Sequence, residues 1–461
     1  MSDWSIPSHV LKYMDDNGYW TGYDDMKAHI DDWWRMLTAT GDFYDFNDNI
    51  GGIPLKVHRR SIHPAAKVAN EWASLLMNDK TTISTDSEEC NEWLDEYLRA
   101  IGFRARGQGM VKRAFALGTG AWGVWLDTSD GKMQLRRYDA RMILPITWDD
   151  DGVSECAFAT RVVSRGRKLD QLQLHLASSD GYHIVTKLFD AESGAIVSDD
   201  SVVEDFATKC PTPTFALVTP AVENTVSDMS PYGCSVYADA IDAMQAVDLA
   251  YDAVYNEVDL TKARIFISDM LVQVTYTDDD GEVHRLRQAL PFGRDNTVFR
   301  KVQSADDMVQ VYAPQMRTAS QVQAYEKALE TMGDLCGFGT NYFTAKQGVK
   351  TATEVSSDNS QLMRSIRKHE NLLEDSIARI VHAALACART HLGASLPPEG
   401  QVRVSFDDSI ITDTAAEKAQ DMAEVSAGLM RPDEYRVKWY GESPEEAAAN
   451  VPVPAADLQL V

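Results

Sequence analysis

Two aspartate runs and one glycine-rich segment have residue types that could support metal or cofactor chemistry. Asp149–Gly152 and Asp278–Gly281 have the composition of calcium loops. They lack the alternating spacing and the later glutamate of an EF-hand loop, so we expect solvated hairpin turns. Gly118–Gly123 matches G-x-G-x-x-G by letter. A helix is predicted before it and a strand after it, the reverse of a dinucleotide site, so we predict no cofactor.

No other local pattern indicates catalysis. The sequence has no G-x-x-x-x-G-K-[ST], no H-E-x-x-H and no G-x-S-x-G. Scattered carboxylates could meet in space as a two-metal nuclease site, but nothing local requires it. The cysteines show no C-x-x-C spacing and are predicted to be reduced, buried thiols: Cys90, Cys156, Cys210, Cys234, Cys336 and Cys387. We predict that the protein is not an enzyme and has no metal ligands.

The glycine-rich loop from Gly337 to Lys350 is the remaining segment whose side chains could touch a ligand. It carries Asn341, Tyr342 and two cations, Lys346 and Lys350. One interpretation is an ordinary exposed loop with solvated lysines. The other is a glycine-hinged loop that moves against a rigid support and touches phosphate transiently.

A very long helix is predicted directly after this loop. Thr351 and Glu354 form a capping box, and apolar residues then recur three or four apart up to Leu392, with no proline before Pro397. The helix would be roughly 60 Å long. Few domains enclose such a rod, so we expect it to traverse an assembly. Its histidines are predicted to be hydrogen-bonded or on the polar face: His369, His382 and His391.

Two further helices each show an apolar seam that expects a partner helix. They are predicted over Ser235 to Lys262 and Arg317 to Cys336. The first also has two acidic faces. One face carries Asp248, Asp252 and Asp259, and the other carries Asp239, Asp242 and Glu257.

The rest of the chain mixes helices with short strands. Residues 1 to about 118 are predicted to be helical, with Gly51–Pro54 as a turn or linker. From Gly120 the apolar period switches to two, which predicts an antiparallel sheet packed on these helices, and strands return over 265–311. A last strand and three capped helices follow Pro398. The predicted fold class is therefore α+β.

Length and charge restrict the classes of function. The 461 residues carry a formal net charge of -26, and could form roughly two to four domains. Proteins that grip nucleic acid concentrate Lys and Arg, so an acidic chain either avoids nucleic acid or lets it slide past. The N-terminus lacks the features of a signal peptide and no apolar run is long enough for a membrane span, so we expect a soluble intracellular chain.

Several short motifs follow one another along nearly the whole chain. The most specific is Lys350–Val355, in which Thr-Ala-Thr-Glu-Val opens a long helix after a flexible loop. The others are His58–Lys67, Gly120–Trp122, Pro231–Val236, Gly337–Gly339 and Phe406–Ile410. In this order they resemble the portal proteins of tailed bacteriophages, specifically the portal family of siphophages of Gram-positive hosts.

The resemblance implies a portal fold in a ring, usually of twelve subunits, at one vertex of a capsid. Residues 1–233 would form the wing, 234–262 the stem helix, 263–316 the clip, 317–336 the second stem helix, 337–350 the tunnel loop, 351–394 the long helix crossing wing and crown, and 395–461 a wing strand and a short helical crown.

The resemblance also implies roles for the residues named above. Because DNA must pass in both directions, a repulsive lining is favoured, so Asp248, Asp252 and Asp259 would line the channel. The tunnel-loop contacts would be Asn341, Tyr342, Lys346 and Lys350. The clip residues facing the terminase and connector would be Asp278, Asp279, Asp280, Glu282, Arg285 and Arg287.

The implied partners are double-stranded DNA without sequence specificity, the terminase large subunit, head–tail connector or adaptor proteins, and the major capsid and scaffolding proteins, with no membrane. The protein would reside in the virion, and in the host cytoplasm before assembly. Two alternatives stay open, namely a non-portal oligomeric phage scaffold or adaptor and a metal-dependent nuclease. Annular particles would argue against the first, and Mg²⁺-dependent DNA cleavage would reveal the second.

Overall fold

The computed structural model describes residues 4–50, 53–127, 131–164, 166–199, 202–268, 273–287, 298–301, 309–315, 317–344, 352–406 and 414–451. Helices and strands are both abundant within these ranges, so the α+β class is confirmed. No helix of the described part is long and apolar enough to cross a membrane.

The helices of the described residues are α1 Ser8–Asp16, α2 Tyr23–Thr38, α3 Pro64–Leu76, α4 Glu88–Ala100, α5 Phe103–Leu117, α6 Ile241–Leu260, α7 Thr318–Leu335, α8 Ala352–His391, α9 Thr414–Ser426, α10 Pro432–Tyr440 and α11 Pro444–Asn450. The strands are β1 Asp45–Ile50, β2 Ile53–His58, β3 Thr82–Ser84, β4 Gly120–Asp127, β5 Lys132–Asp139, β6 Ile143–Asp149, β7 Gly152–Ser164, β8 Arg167–Ser178, β9 Gly181–Asp190, β10 Ile196–Val197, β11 Asp205–Ala207, β12 Phe215–Val218, β13 Arg264–Ser268, β14 Gln273–Thr277, β15 Val283–Arg287, β16 Val298–Lys301, β17 Val309–Tyr312 and β18 Arg403–Ser405.

The N-terminal region contains a β-hairpin that the sequence analysis missed. Strands β1 and β2 pair antiparallel, with Asp45 opposite His58 and Asn47 opposite Lys56. The prediction of a wholly helical region is wrong here because β1 reads Asp-Phe-Asn-Asp-Asn-Ile, which is too polar to show an apolar alternation. Residues 59–63, which follow the hairpin directly, contact α6.

Antiparallel strands cover these helices, as predicted. One sheet has the order β10-β9-β8-β7-β6, with β11 also paired to β9, and a second has the order β12-β4-β5. Strands β6 and β12 were not predicted. Pro145 interrupts the pattern of β6, and β12 is only four residues long, so neither shows a clear period of two.

The long helix α8 is one uninterrupted element of 40 residues, as predicted. Leu373, Ile377 and Leu385 in its C-terminal half are 0 to 1 % exposed. The helix packs against α3, β4, β12 and β18. The rod is therefore held by the N-terminal helices and sheets and does not project freely from them.

A small set of strands lies between α6 and α7 in the chain. Strand β13 pairs parallel with β16 and antiparallel with β17, and β14 pairs antiparallel with β15. The predicted strands over 265–311 are therefore present. The segments on either side of β16, residues 288–297 and 302–308, lie outside the described residues.

The strand after α8 returns to the N-terminal region. Strand β18 pairs antiparallel with β3, with Val404 opposite Ile83. Beside this pair, the Asp86 carboxylate accepts a hydrogen bond from the backbone N–H of Gln401 at 2.8 Å and lies 2.9 Å from the guanidinium of Arg403. Arg403 and Ser84, which are 319 positions apart, thus lie opposite each other in one sheet.

Candidate channel, loop and docking surfaces

Asp248 of α6 is a buried structural residue. Its exposure is 0 %. One carboxylate oxygen accepts hydrogen bonds from the hydroxyls of Tyr44 and Ser61, at 2.8 and 2.6 Å, and the other accepts the backbone N–H of Ile62 at 2.9 Å. Burial and the neighbouring carboxylate raise the pKa of Tyr44. The prediction that Asp248 lines a channel is wrong, because this carboxylate ties α6 to the N-terminal region.

Asp252, about one turn further along α6, is paired with a cation. Its side chain is 17 % exposed, and its carboxylate lies 3.1 Å from the guanidinium of Arg60. The amide of Asn256 also donates to it at 3.3 Å. Arg60 offsets its charge, so Asp252 does not form part of a bare acidic face. The side chain of Asp259 lies outside the described residues, and the channel role of Asp252 and Asp259 stays a prediction.

The second predicted acidic face of α6 is also only partly available. Asp239 and Asp242 are exposed, whereas Glu257 is 4 % exposed. The Glu257 carboxylate accepts hydrogen bonds from Nε and Nη2 of Arg317, at 3.2 and 3.0 Å, and from Gln321 at 3.3 Å. The Arg317 side chain lowers the pKa of Glu257. This contact clamps the end of α6 to the start of α7.

The seam between α6 and α7 is closed near one end and open near the other. Met244 and Met332 are 0 and 1 % exposed, and the rings of Tyr251 and Tyr325 lie 6.4 Å apart. Towards the strands between the helices, Val258 and Val322 are 44 and 45 % exposed. The predicted pairing is therefore present, and the far end of the seam leaves apolar surface uncovered.

Aromatic rings anchor the start of the loop that follows α7. Phe338 is 2 % exposed, and its ring centroid lies 4.5 Å from that of Trp72 and 4.7 Å from that of Tyr342. Tyr342 donates its hydroxyl to Glu71 at 3.1 Å, and burial together with this carboxylate raises the pKa of Tyr342. Tyr342 thus belongs to the anchored base of the loop. Its predicted contact with DNA stays a prediction.

Glycines allow this base to fold tightly. Gly337 and Gly339 have φ angles of +83° and +86°, a conformation that favours glycine. A Cβ atom on Gly333 would lie 2.6 Å from the carbonyl oxygen of Gly339, so helix and loop meet backbone to backbone. Lys346 and Lys350 lie outside the described residues. Their phosphate contacts stay predictions, as does that of Asn341.

His369 of α8 contacts the same indole as the loop base. It is 6 % exposed, and its ring centroid lies 4.6 Å from Trp72 and 4.9 Å from Phe115. Its Nδ1 accepts the backbone N–H of Ala221 at 2.9 Å, and burial lowers the pKa of His369 to about 4. The prediction of a hydrogen-bonded helix histidine is confirmed. Trp72 therefore joins the loop base to the long helix.

The turn between β14 and β15 is a hairpin turn, as predicted. Its first carboxylate, that of Asp278, accepts the backbone N–H groups of Asp280 and Glu282 at 3.1 and 2.8 Å. Asp279, Asp280 and Glu282 are exposed. The backbones of Arg285 and Arg287 lie in β15, opposite Thr275 and Gln273, and their side chains are outside the described residues. The clip-facing role of this turn stays a prediction.

Within the described ranges no group of three or more His, Cys, Asp or Glu side chains lies together as a metal-ligand set. All six cysteines are buried and free, as predicted, and the sulfurs of Cys210 and Cys387 lie 3.3 Å apart.

Sequence reasoning missed the partners of the predicted site residues. Tyr44 and Ser61 are 204 and 187 positions from Asp248 in the chain, so no helical or strand period relates them. Trp72 and Phe338 are similarly remote from each other. The one available signal was the motif His58–Lys67, which contains Arg60, Ser61 and Ile62.

A family model described as "Phage portal protein, SPP1 Gp6-like" matches residues 53–449. No curated protein matches the chain. The matched range includes α6, α7, α8, the strands between α6 and α7, and the loop before α8.

The chain is also similar in fold to chains of solved structures, at low identity. A chain of "Virion of native gene transfer agent (GTA) particle" is 12 % identical with a TM-score of 0.42, covering 89 % of this chain and 92 % of that chain. A chain of "Neck of native GTA particle computed with C12 symmetry" is 13 % identical with a TM-score of 0.42, covering 81 and 89 %. An HK97 family phage portal protein from Corynebacterium diphtheriae is 10 % identical with a TM-score of 0.30, covering 76 and 93 %.

Proposed function

Because the chain belongs to the SPP1 Gp6-like family of phage portal proteins, we propose that it forms a ring of twelve subunits at one capsid vertex. In this proposal double-stranded DNA enters during packaging and leaves during ejection through the central channel. The match over residues 53–449 carries the proposal, because it includes every element assigned to the stem, clip and tunnel loop. The protein then resides in the virion, and in the host cytoplasm before assembly.

The uncovered apolar side chains of α6 and α7 support the ring. Val258 and Val322, which adjoin the Glu257–Gln321 contact, are 44 and 45 % exposed. Clustered exposed apolar residues are typical of protein interfaces. A neighbouring copy that covers them from one side would create a heterologous contact, which closes into a ring when the rotation between subunits permits.

The lining of the channel is proposed from the predicted acids of α6 other than the buried Asp248. Asp252 and Asp259 are retained as lining residues, and Asp248 is not. Repulsive charge keeps phosphate contacts few, so DNA moves in both directions without a tight binding site. The tunnel loop, anchored at Phe338 and Tyr342, would bring Lys346 and Lys350 into transient contact with DNA.

The strands between α6 and α7 are proposed as the clip. Its exposed turn at Asp279, Asp280 and Glu282 would dock first on the terminase large subunit and later on head–tail connector or adaptor proteins. The N-terminal region would contact the major capsid and scaffolding proteins as the wing.

Negative-stain images and native mass spectrometry of the purified protein test the ring. We expect annular particles with twelve subunits and, for twelve copies of a 51.2 kDa chain, a mass of about 614 kDa. Rods, closed bundles, or a chain that stays monomeric under every assembly condition would contradict the proposal.

A packaging assay tests the channel acids separately from assembly. Asp252→Asn combined with Asp259→Asn should still form rings and should package less DNA, because the lining becomes less repulsive. Asp242→Asn, an exposed acid on another face of α6, is the control. Equal packaging by the double variant and the control would rule out the proposed lining.

A further inference from the structure

A compact cationic surface interrupts this acidic chain. Residues 103–117 of α5 and 132–137 of β5 contain seven Lys or Arg and no Asp or Glu. At the chain average of 44 Lys and Arg and 70 Asp and Glu in 461 residues, 21 residues would carry about two cations and three anions. The exposed cations are Arg104, Arg106, Arg113, Lys132 and Arg137.

Three of these guanidinium groups are brought together by the packing of β5 on α5. Arg137 donates from Nη1 to the backbone carbonyl of Arg106 at 3.1 Å, and a Cβ atom on Gly109 would lie 3.2 Å from the same nitrogen. Arg137 therefore lies on the surface of α5. Arg113, seven residues after Arg106, is on the same face of that helix, about 10 Å further along its axis.

The cluster has too little negative charge to be neutral. Arg113 lies 3.3 Å from Asp139, but this buried carboxylate is also bound by two nitrogens of Arg141, at 3.1 and 2.9 Å. Burial, and then the charges of Arg113 and Arg106, lower the pKa of Arg137. Glu96 of α4 lines the groove beside Arg106 and offsets part of one charge. An unneutralised positive field therefore faces solvent.

We propose that Arg106, Arg113 and Arg137 bind the phosphate backbone of double-stranded DNA, on elements other than those that carry the predicted channel residues. The distance between Arg106 and Arg113 is one over which duplex DNA presents about six phosphate charges. Guanidinium groups bind phosphate through paired N–H donors. The inference rests on the proposed function, because DNA packed in the capsid would be the DNA that this surface meets.

The experiment measures binding of the assembled ring to a fluorescent 30-base-pair duplex at several salt concentrations. Arg106, Arg113 and Arg137 are replaced together by Gln. Each lost phosphate contact flattens the plot of log K against log salt by about 0.9, so we expect a slope shallower by about 2 to 3 and binding at least tenfold weaker in low salt. The matched control replaces three exposed cations elsewhere, Arg35, Arg167 and Lys327, which are 56, 63 and 75 % exposed.

Equal slopes for the two triple variants would overturn the proposal. A second result would also overturn it: the wild-type ring binds poly-L-glutamate through this cluster, and the triple variant binds DNA as well as the wild type does. The site would then serve an acidic polypeptide. The single change Arg106→Gln, which replaces one exposed side chain of the cluster, should flatten the slope by about 0.9. It tests the same point if the triple variant fails to fold. Ring formation is scored in the same samples by negative stain, so failure of the ring proposal is recognised separately.

Discussion

Replacing Asp248 with alanine should destabilise the subunit by about 3 to 5 kcal/mol, the usual cost of removing one member of a buried charged network. Three donors lose their acceptor: the hydroxyls of Tyr44 and Ser61 and the backbone N–H of Ile62. Each buried, unsatisfied donor costs about 1 to 3 kcal/mol. The total loss should stay below the sum of three such penalties, because Ser61 and Ile62 are only partly buried and water can replace the lost acceptor there.

The matched change is Asp252→Ala, about one turn away on the same helix. Its partner Arg60 is 48 % exposed, and ion pairs with this access to solvent contribute about 0 to 1 kcal/mol. Asp248→Asn should be intermediate, at about 1 to 2 kcal/mol, since an amide keeps one acceptor oxygen for the three donors. Asp248 and Asp252 have the same side chain on the same helix. The difference between their losses of stability therefore measures the effect of the buried hydrogen bonds of Asp248.

Urea unfolding of the monomeric chain, followed by tryptophan fluorescence, measures these differences as shifts in midpoint at constant slope. A loss for Asp248→Ala that does not exceed the loss for Asp252→Ala would refute the reasoning. So would an Asp248→Ala subunit of normal stability that fails only in DNA packaging, because Asp248 would then act at the channel after all.

Three further changes probe the junction of the loop and the long helix. Above pH 6.5 His369 is neutral in both the folded and the unfolded chain. Between pH 6.5 and pH 4 it is protonated in the unfolded chain but stays neutral in the folded chain, where its pKa is about 4. Stability should therefore fall by about 1.4 kcal/mol per pH unit as pH drops from 6.5 towards 4, and His369→Asn should remove this contribution in urea titrations at pH 7 and pH 5. Phe338→Ala should cost about 3 to 5 kcal/mol and change the fluorescence of Trp72, and an unchanged spectrum would argue against their contact. Gly333→Ala should displace the base of the loop, because the new Cβ atom would lie 2.6 Å from the carbonyl oxygen of Gly339. The loop should then be cleaved faster by a protease, and an unchanged cleavage rate would contradict this prediction.

Local patterns predicted the elements of this chain well where those patterns are strong. The capping box and the apolar stripe predicted α8, and the paired seams predicted α6 and α7. Polar or short elements escaped detection, namely the hairpin of β1 and β2 and the strand β12. Their stability comes from pairing with distant segments, which no local period records.

The candidate site was harder to predict than the elements. The helical period correctly places Asp248 and Asp252 near one face of α6, but it cannot tell that the β1–β2 hairpin and residues 59–63 cover one of them. An acidic residue on a helix is normally exposed, and Asp248 departs from that rule because three distant donors converge on it. Buried carboxylates of this kind are found only once the tertiary contacts are known.

The pairing of β18 with β3 also limits when the subunit can be completed. Arg403 is 319 positions beyond Ser84, so the whole segment between them must be synthesised before this small sheet can close. A product terminated before Gln401 leaves β3 with an open edge and Asp86 without its two partners, the Gln401 backbone N–H and Arg403. A chain that ends early therefore lacks this sheet and exposes an unpaired strand edge, a feature that promotes pairing with other chains.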